Sequence, residues 1–189
     1  MEREALLMGD LYGLLNLEHL TFEAGHKEIK KAYNKLALVH HPDKVVDKFG
    51  DAEKDLWLKI QNAYETLSDE TRRRKYDSSL PFDERIPKKE DVTEATFFEL
   101  FSACFKLNAR FARKRPAPSI GDLDTPYADV KKFYSYWSPF DTWREFSSFD
   151  EYDPKDAGDR YEKRWMEKEN KHIRDKYVKA ERKRLIRLH

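Results

Sequence analysis

Between residues 26 and 41 the side chains of Ile29, Ala32, Tyr33, Leu36, Ala37 and His40 recur at three- and four-residue intervals. At about 100° per residue they share one face, which predicts an amphipathic helix with His40 packed in the core. Lys27, Lys30, Lys31, Asn34, Lys35 and Leu38 fall on the opposite, almost purely cationic face. Gly25 followed by Glu28 reads as a weakened capping box, since Gly is tolerated at the N-cap and Glu can reach back to a free backbone N–H. A second stripe, Leu56, Trp57, Ile60, Ala63, Tyr64 and Leu67, predicts another helix, and Ser68 or Asp69 can cap a short third one through Tyr76. Two apolar stripes of matching length bury each other as an antiparallel pair, so their connection lies exposed at one end. That connection starts His41, Pro42, Asp43, Lys44. Pro42 ends the first helix because its ring disfavours helical geometry in the residue before it, and it presents His41 and Asp43 at a stiffened corner.

The pattern then changes. Pro81, Pro87 and the charged run from Lys88 to Asp91 predict a linker over 79–92, with one domain at 1–78 before it and a second at 93–189 after it. Phe97, Phe98, Leu100, Phe101, Cys104, Phe105, Leu107 and Phe111 make a strongly apolar helix that needs a partner surface. Pro116, Pro118 and Gly121 break the chain, and eight aromatic side chains follow between 130 and 149. These rings are expected to form the core of a small domain, closing on the helix that carries Phe97 and Phe101. Base-stacking platforms are the less favoured reading of them, since no basic residues interleave.

From about residue 158 no Pro or Gly interrupts a run of helix formers, long enough for about 45 Å of helix. Tyr161, Trp165, Ile173, Tyr177, Leu185 and Leu188 give it only a sparse apolar stripe. Its beginning is expected to pack on the aromatic domain while the rest projects. Residues 160–189 hold twelve Lys/Arg against five Asp/Glu, an asymmetry hidden by the whole chain's net charge of +1. Arg160, Lys163, Arg164, Lys168, Lys171, Arg174, Lys179, Arg182, Lys183, Arg184 and Arg187 are therefore candidate contacts to a phosphate backbone, against the plainer reading of a solvated helix.

Composition narrows the function classes. Charged residues are 39% of the 189, which favours long solvent-laced helices over one large core. Cys104 is the single cysteine, so no intrachain disulfide forms and a reducing compartment, cytosolic or nuclear, is expected. No signal peptide or membrane-spanning stretch is apparent, so a soluble protein without membrane contact is expected. The charged run that stops at His189 reads as part of a longer polypeptide. His40, His41 and Asp43 do not suggest a metal site, because adjacent side chains at a helix end diverge and no further ligands cluster with them. No nucleophile or oxyanion-hole pattern accompanies the His and Asp, so no catalytic residue and no cofactor are expected.

Several blocks, in order and at the right spacing, resemble the J-domain family. They are the segment from Asp10 to Leu15, the helix from Glu28 to Ala37, the loop from His41 to Lys44, the stretch from Ala63 to Asp69, and Arg72 to Asp77. Asn34 departs from the family, which usually has Arg there. The second half resembles the zuotin and M-phase phosphoprotein eleven group of ribosome-associated J proteins. The similar residues include Phe97 to Phe101, Asn108 to Phe111, Ile120 to Asp122, Phe133 to Trp137, Phe140 to Phe146, and Arg164 to Asn170. The Gly/Phe-rich spacer and Cys-x-x-Cys repeats of general-purpose J proteins are absent from this sequence.

The resemblance implies an all-α protein: a four-helix J-domain followed by a small aromatic-rich helical zuotin homology domain that leads into a long charged helix. It implies a co-chaperone, with no chemistry of its own, that stimulates ATP hydrolysis by a heat-shock-70 chaperone acting on nascent polypeptides. Lys27, Lys30, Lys31, Asn34, Lys35, His41, Pro42, Asp43 and Lys44 would contact that chaperone, and the basic helix would contact the large ribosomal subunit near the tunnel exit. In the family an atypical heat-shock-70 partner binds a region before the J-domain that has almost no counterpart here. The expected location is cytoplasmic and ribosome-associated, with room for a nuclear pool. Two alternatives differ in class: a J protein whose basic module binds other RNA or DNA, and an independent hydrolase using His41 and Asp43.

Overall fold

A computed structural model describes residues 9–44 and 50–188. The secondary structure among them is helical, apart from one isolated antiparallel bridge between Ala112 and Thr142. The chain divides into two compact units, Met1–Leu80 and Pro81–His189.

The first unit holds α1 (Leu11–Leu14), α2 (His26–His40), α3 (Asp51–Ser68) and α4 (Glu70–Ser79). Asp10 caps α1 by accepting from Gly13 N–H, and Asp69 caps α4 by accepting from Arg72 N–H at 2.7 Å. Gly25 caps α2 without a side-chain bond; Glu28 does fold back, and its Oε2 lies 2.5 Å from where a Cβ on Gly25 would stand. α2 and α3 pack through the two stripes read from the sequence: Ile29, Ile60, Ala63 and Leu67 are buried, and the Tyr33 ring stacks on Tyr64 at 4.1 Å. Two positions differ from expectation. Leu56 is exposed, because the adjacent Trp57 takes the inward position. His40 is only half-buried.

Periodicity did not reveal how α4 is held. The buried Tyr76 hydroxyl accepts from Leu11 N–H at 3.0 Å, and Tyr12 donates to the Asp77 carboxylate at 2.8 Å. Arg73 donates to the Tyr12 oxygen at 3.1 Å and reaches the carbonyls of Thr21 and Phe22. These bonds satisfy groups at the end of α1 that burial would otherwise leave at a cost of about 1–3 kcal/mol each.

The second unit holds α5 (Phe97–Ala109), α6 (Tyr127–Trp137) and α7 (Arg160–Ile186). Its core joins Cys104 and Phe105 of α5 to Phe133 and Trp137 of α6 and to Leu185 and Leu188. Phe105 meets the rings of Phe133 and Trp137 edge-on at 4.8 and 4.7 Å, and Trp137 donates through Nε1 to the Pro118 carbonyl. The expected closure of the aromatic segment on α5 is made through Phe105 and Phe101, whereas Phe97 is partly exposed.

Two further expectations are corrected. The segment 79–92 is not a free linker beyond Leu80: Ile86 packs on the second core, and the Phe82 ring lies within 4.4, 4.8 and 5.4 Å of the guanidinium carbons of Arg110, Arg144 and Arg184. An apolar ring among three cations gains cation–π attraction that solvent would not supply. The polarity of α7 is also reversed: its last turn supplies Leu185 to the core, followed by Leu188, while Arg160, Tyr161, Lys163 and Arg164 at its start are exposed. A sparse stripe packs wherever an apolar surface meets it.

Candidate functional site

His41 closes α2 in an extended conformation, its N–H bonded to Ala37 carbonyl, and Pro42–Lys44 form a single 3-10 turn. Asp43 N–H donates to His41 Nδ1 at 3.2 Å, and the Asp43 carboxylate stands 3.7 Å from the same nitrogen. With Nδ1 accepting, a neutral imidazole carries its proton on Nε2. The His41 ring meets Trp57 of α3 edge-on at 5.2 Å. The histidine thus braces the corner against α3, while the Asp43 side chain, 84% exposed, points at solvent.

Lys27, Lys30, Lys31, Asn34 and Lys35 are all exposed on α2, as the wheel predicts. The side chain of Lys44 lies outside the described residues. A shallow depression of about 520 Å³ is lined by Asn34, Ala37, Leu38, His41 and Asp43. Its apolar wall is made by Ala37 and by Leu38, which is 73% exposed. The sequence signal was a leucine on an otherwise cationic face. Together these groups form a surface with cations to steer an acidic partner, a carboxylate to accept paired hydrogen bonds, and apolar area to bury.

The basic residues of α7 fall into two groups. Arg160, Lys163, Arg164, Lys168, Lys171, Lys179, Arg182, Lys183 and Arg187 are exposed. Arg174 is half-buried and bonds Asp150 at 2.9 Å. Arg184 is partly buried and engaged within the unit: it donates to both Glu181 oxygens and, at 2.6 Å, to Asn108 Oδ1 in the last turn of α5. Glu181 also receives Arg144 at 3.1 Å, and Arg144 in turn binds Glu84 at 2.6 Å. Burial pushes the Glu181 carboxyl up, but the bonds and charges of Arg184 and Arg144 outweigh it and hold the group below its ordinary value. Burial pushes the Cys104 thiol up, which keeps it protonated and unreactive in the core.

Among the described residues, no three His, Cys, Asp or Glu side chains cluster to hold a metal, and no helix is long and apolar enough to cross a membrane.

Comparison with known proteins gives two domain matches: the DnaJ domain over residues 10–77 and the "Zuotin-like, zuotin homology domain" over residues 96–189. The chain is 39% identical over 180 residues to zuotin of Saccharomyces cerevisiae, covering 95% of this chain and 41% of zuotin. It is 38% identical over 180 residues to "DnaJ homolog subfamily C member 2" of Homo sapiens, covering 93% of this chain and 29% of that protein. "DnaJ homolog subfamily C member 21" of Bos taurus is 34% identical over 194 residues, 87% of this chain and 36% of that protein. The chain therefore spans less than half the length of each of these relatives. With a DnaJ domain followed by a zuotin homology domain, and this identity across nearly all of its length, the chain belongs to the zuotin-like family of J-domain proteins.

Proposed function

We propose that this chain recruits and activates a heat-shock-70 ATPase while tethered to a ribosome. The observation that carries the reading is the His41, Pro42, Asp43 corner, where an exposed carboxylate is held at the end of a cationic helix by a histidine packed on Trp57. The Asp43 carboxylate accepts paired hydrogen bonds from an arginine of the chaperone, and Lys27, Lys30, Lys31 and Lys35 steer the encounter with an acidic surface. To stimulate hydrolysis, the corner must bind the hydrolysis-competent state of the chaperone more tightly than its resting state. The reaction takes place in the partner.

The tether is the exposed cationic part of α7, made by Arg160, Lys163, Arg164, Lys168 and Lys171, with Lys179, Arg182, Lys183 and Arg187 further along. Cations on an uninterrupted helix suit the phosphate backbone of ribosomal RNA, and the family resemblance points to the large subunit near the tunnel exit. A cytoplasmic, ribosome-associated location with service to nascent polypeptides follows from that reading. An atypical heat-shock-70 partner, as in the family, would bind through a region other than this chain.

Single-turnover ATP hydrolysis by a heat-shock-70 chaperone, with and without the chain, tests the first half. Acceleration by the parent and none by Asp43→Asn is expected; equal acceleration by both rejects the reading. Cosedimentation with ribosomes over a salt series tests the second half, with naked RNA as the comparison that separates ribosome docking from general nucleic-acid binding.

A further inference from the structure

The end of α7 buries one apolar side and leaves another in solvent. Leu185 and Leu188 enter the second core, yet Val178 is 50% and Ile186 58% exposed. At about 100° per residue Val178, Arg182 and Ile186 lie within an arc of about 80°. With the buried Leu185 and Phe146 and the segment 138–142 they line a groove of about 600 Å³. The carboxylates that line it are engaged: Asp141 stands 3.1 Å from Arg113, and Glu181 is held by Arg144 and Arg184. Arg182, exposed between the two apolar side chains, meets no carboxylate among the described residues. Residues 175–188 hold Lys176, Lys179, Arg182, Lys183, Arg184 and Arg187 against Asp175 and Glu181, an excess of four cations.

We infer that this groove docks an acidic amphipathic helix of a partner protein, whose apolar stripe covers Val178 and Ile186 and whose flanking carboxylates meet Arg182. The inference goes beyond recruitment and tethering and does not rest on either, and it gives Arg182 to a protein contact in place of a phosphate. Charge and apolarity select the occupant together. The phosphates of a nucleic acid would satisfy Arg182 and leave Val178 and Ile186, four residues to either side of it, against a polar backbone. A basic or neutral helix would cover the apolar pair and leave the cationic excess unopposed. A second copy of this chain would set the same cations against each other, because a two-fold contact brings a patch onto itself. A helix with apolar side chains at three- and four-residue spacing, and Asp or Glu beside them, meets both demands. Such a stripe laid in an apolar groove is a recurring mode of peptide recognition, and charges of opposite sign around it set the choice of partner.

The test uses the full 189-residue chain and a labelled peptide of about five helical turns, with Leu at helical spacing on one face and Glu beside it, followed by fluorescence anisotropy. Saturable binding is expected, and none for a counterpart with Lys in place of every Glu. Val178→Glu and Ile186→Glu should each weaken binding roughly tenfold, while Ile186→Leu keeps most of the affinity. Arg182→Glu should weaken it as well and flatten its salt dependence. Thermal melts by circular dichroism should match the parent for all four variants, since these side chains are exposed, which separates lost docking from lost folding. Absence of saturable binding of the Glu peptide to the parent overturns the inference, as does equal binding by the parent and both Glu variants at Val178 and Ile186. Two further results overturn it by naming another occupant. One is binding of a single-stranded oligouridine, weakened by Val178→Glu and Ile186→Glu, with no binding of the peptide. The other is a dimer in sedimentation equilibrium that Ile186→Glu dissolves. The tethering reading is judged separately, by cosedimentation of Arg160→Glu with Arg164→Glu, in which the groove is intact.

Discussion

Arg184 and Glu181 form a buried pair one turn apart on α7, with Nε 2.7 Å from Oε2, and both side chains are at least 87% removed from solvent. The pair locks the end of the long helix into the second unit. Arg184 reaches on to Asn108 of α5, and Glu181 accepts Arg144, which holds Glu84. Removing one member breaks a buried ion pair and leaves its neighbours with fewer partners, and breaking such a pair typically costs about 3–5 kcal/mol.

Glu181→Gln is accordingly expected to lower the stability of the second unit by about 3 kcal/mol, with urea denaturation as the measurement. Arg184→Ala should act similarly, because it leaves the buried Glu181 with Arg144 as its remaining charge partner. Reversal of the exposed Arg164 should stay within about 0.5 kcal/mol of the parent. An equal response at Arg164 and Arg184 would contradict the division of α7 into buried and exposed cations.

The same carboxylate predicts an acid dependence. The folded-state pKa of Glu181 lies below its ordinary value of 4.5, because its bonds and charge partners overcome the effect of burial. The unfolded chain therefore holds the proton more tightly, so this contribution is fully present above pH 4.5 and is lost as pH falls toward the folded pKa. A plot of stability against pH should lose part of its acid slope in Glu181→Gln.

In the first unit the sign is opposite. Burial, followed by the charge of Asp77, raises the Tyr12 hydroxyl above its ordinary value of 10.0. Its contribution is complete below pH 10 and is lost as pH rises from there toward the folded pKa. Tyr12→Phe should cost about 1–2 kcal/mol at neutral pH and remove part of the alkaline loss, as followed by circular dichroism.

At the exposed corner the expectation is function without stability. Asp43→Asn should change the unfolding free energy by less than about 0.5 kcal/mol, since the side chain is 84% exposed, while ATPase stimulation disappears. Leu38→Ser, at 73% exposure, should likewise keep the fold and weaken stimulation through lost apolar contact. A large fall in melting temperature for either variant would place these residues in the fold rather than in the contact.

Much of the first unit was legible because its information is local. The stripe from Ile29 to Ala37, the cationic face opposite it and the break at Pro42 each follow from spacing and backbone stereochemistry. The partner of Tyr12 was not legible, because Asp77 lies 65 residues away and no periodicity links the two. In the second unit the aromatic segment announced a core, yet Phe82 was hidden in a stretch whose prolines and charges looked like a linker.

By itself the sequence determined the helical class, the corner after α2 and the basic character of α7, since helix periodicity, the proline ring and net charge are properties of neighbouring residues. Only the tertiary structure decided which end of α7 is buried and which of its arginines remain free. Arg164 and Arg184 are alike in type and lie on the same charged helix. What separates them is that Asn108 and Arg144, brought close by the folding of distant segments, surround one network and leave the other residue in water.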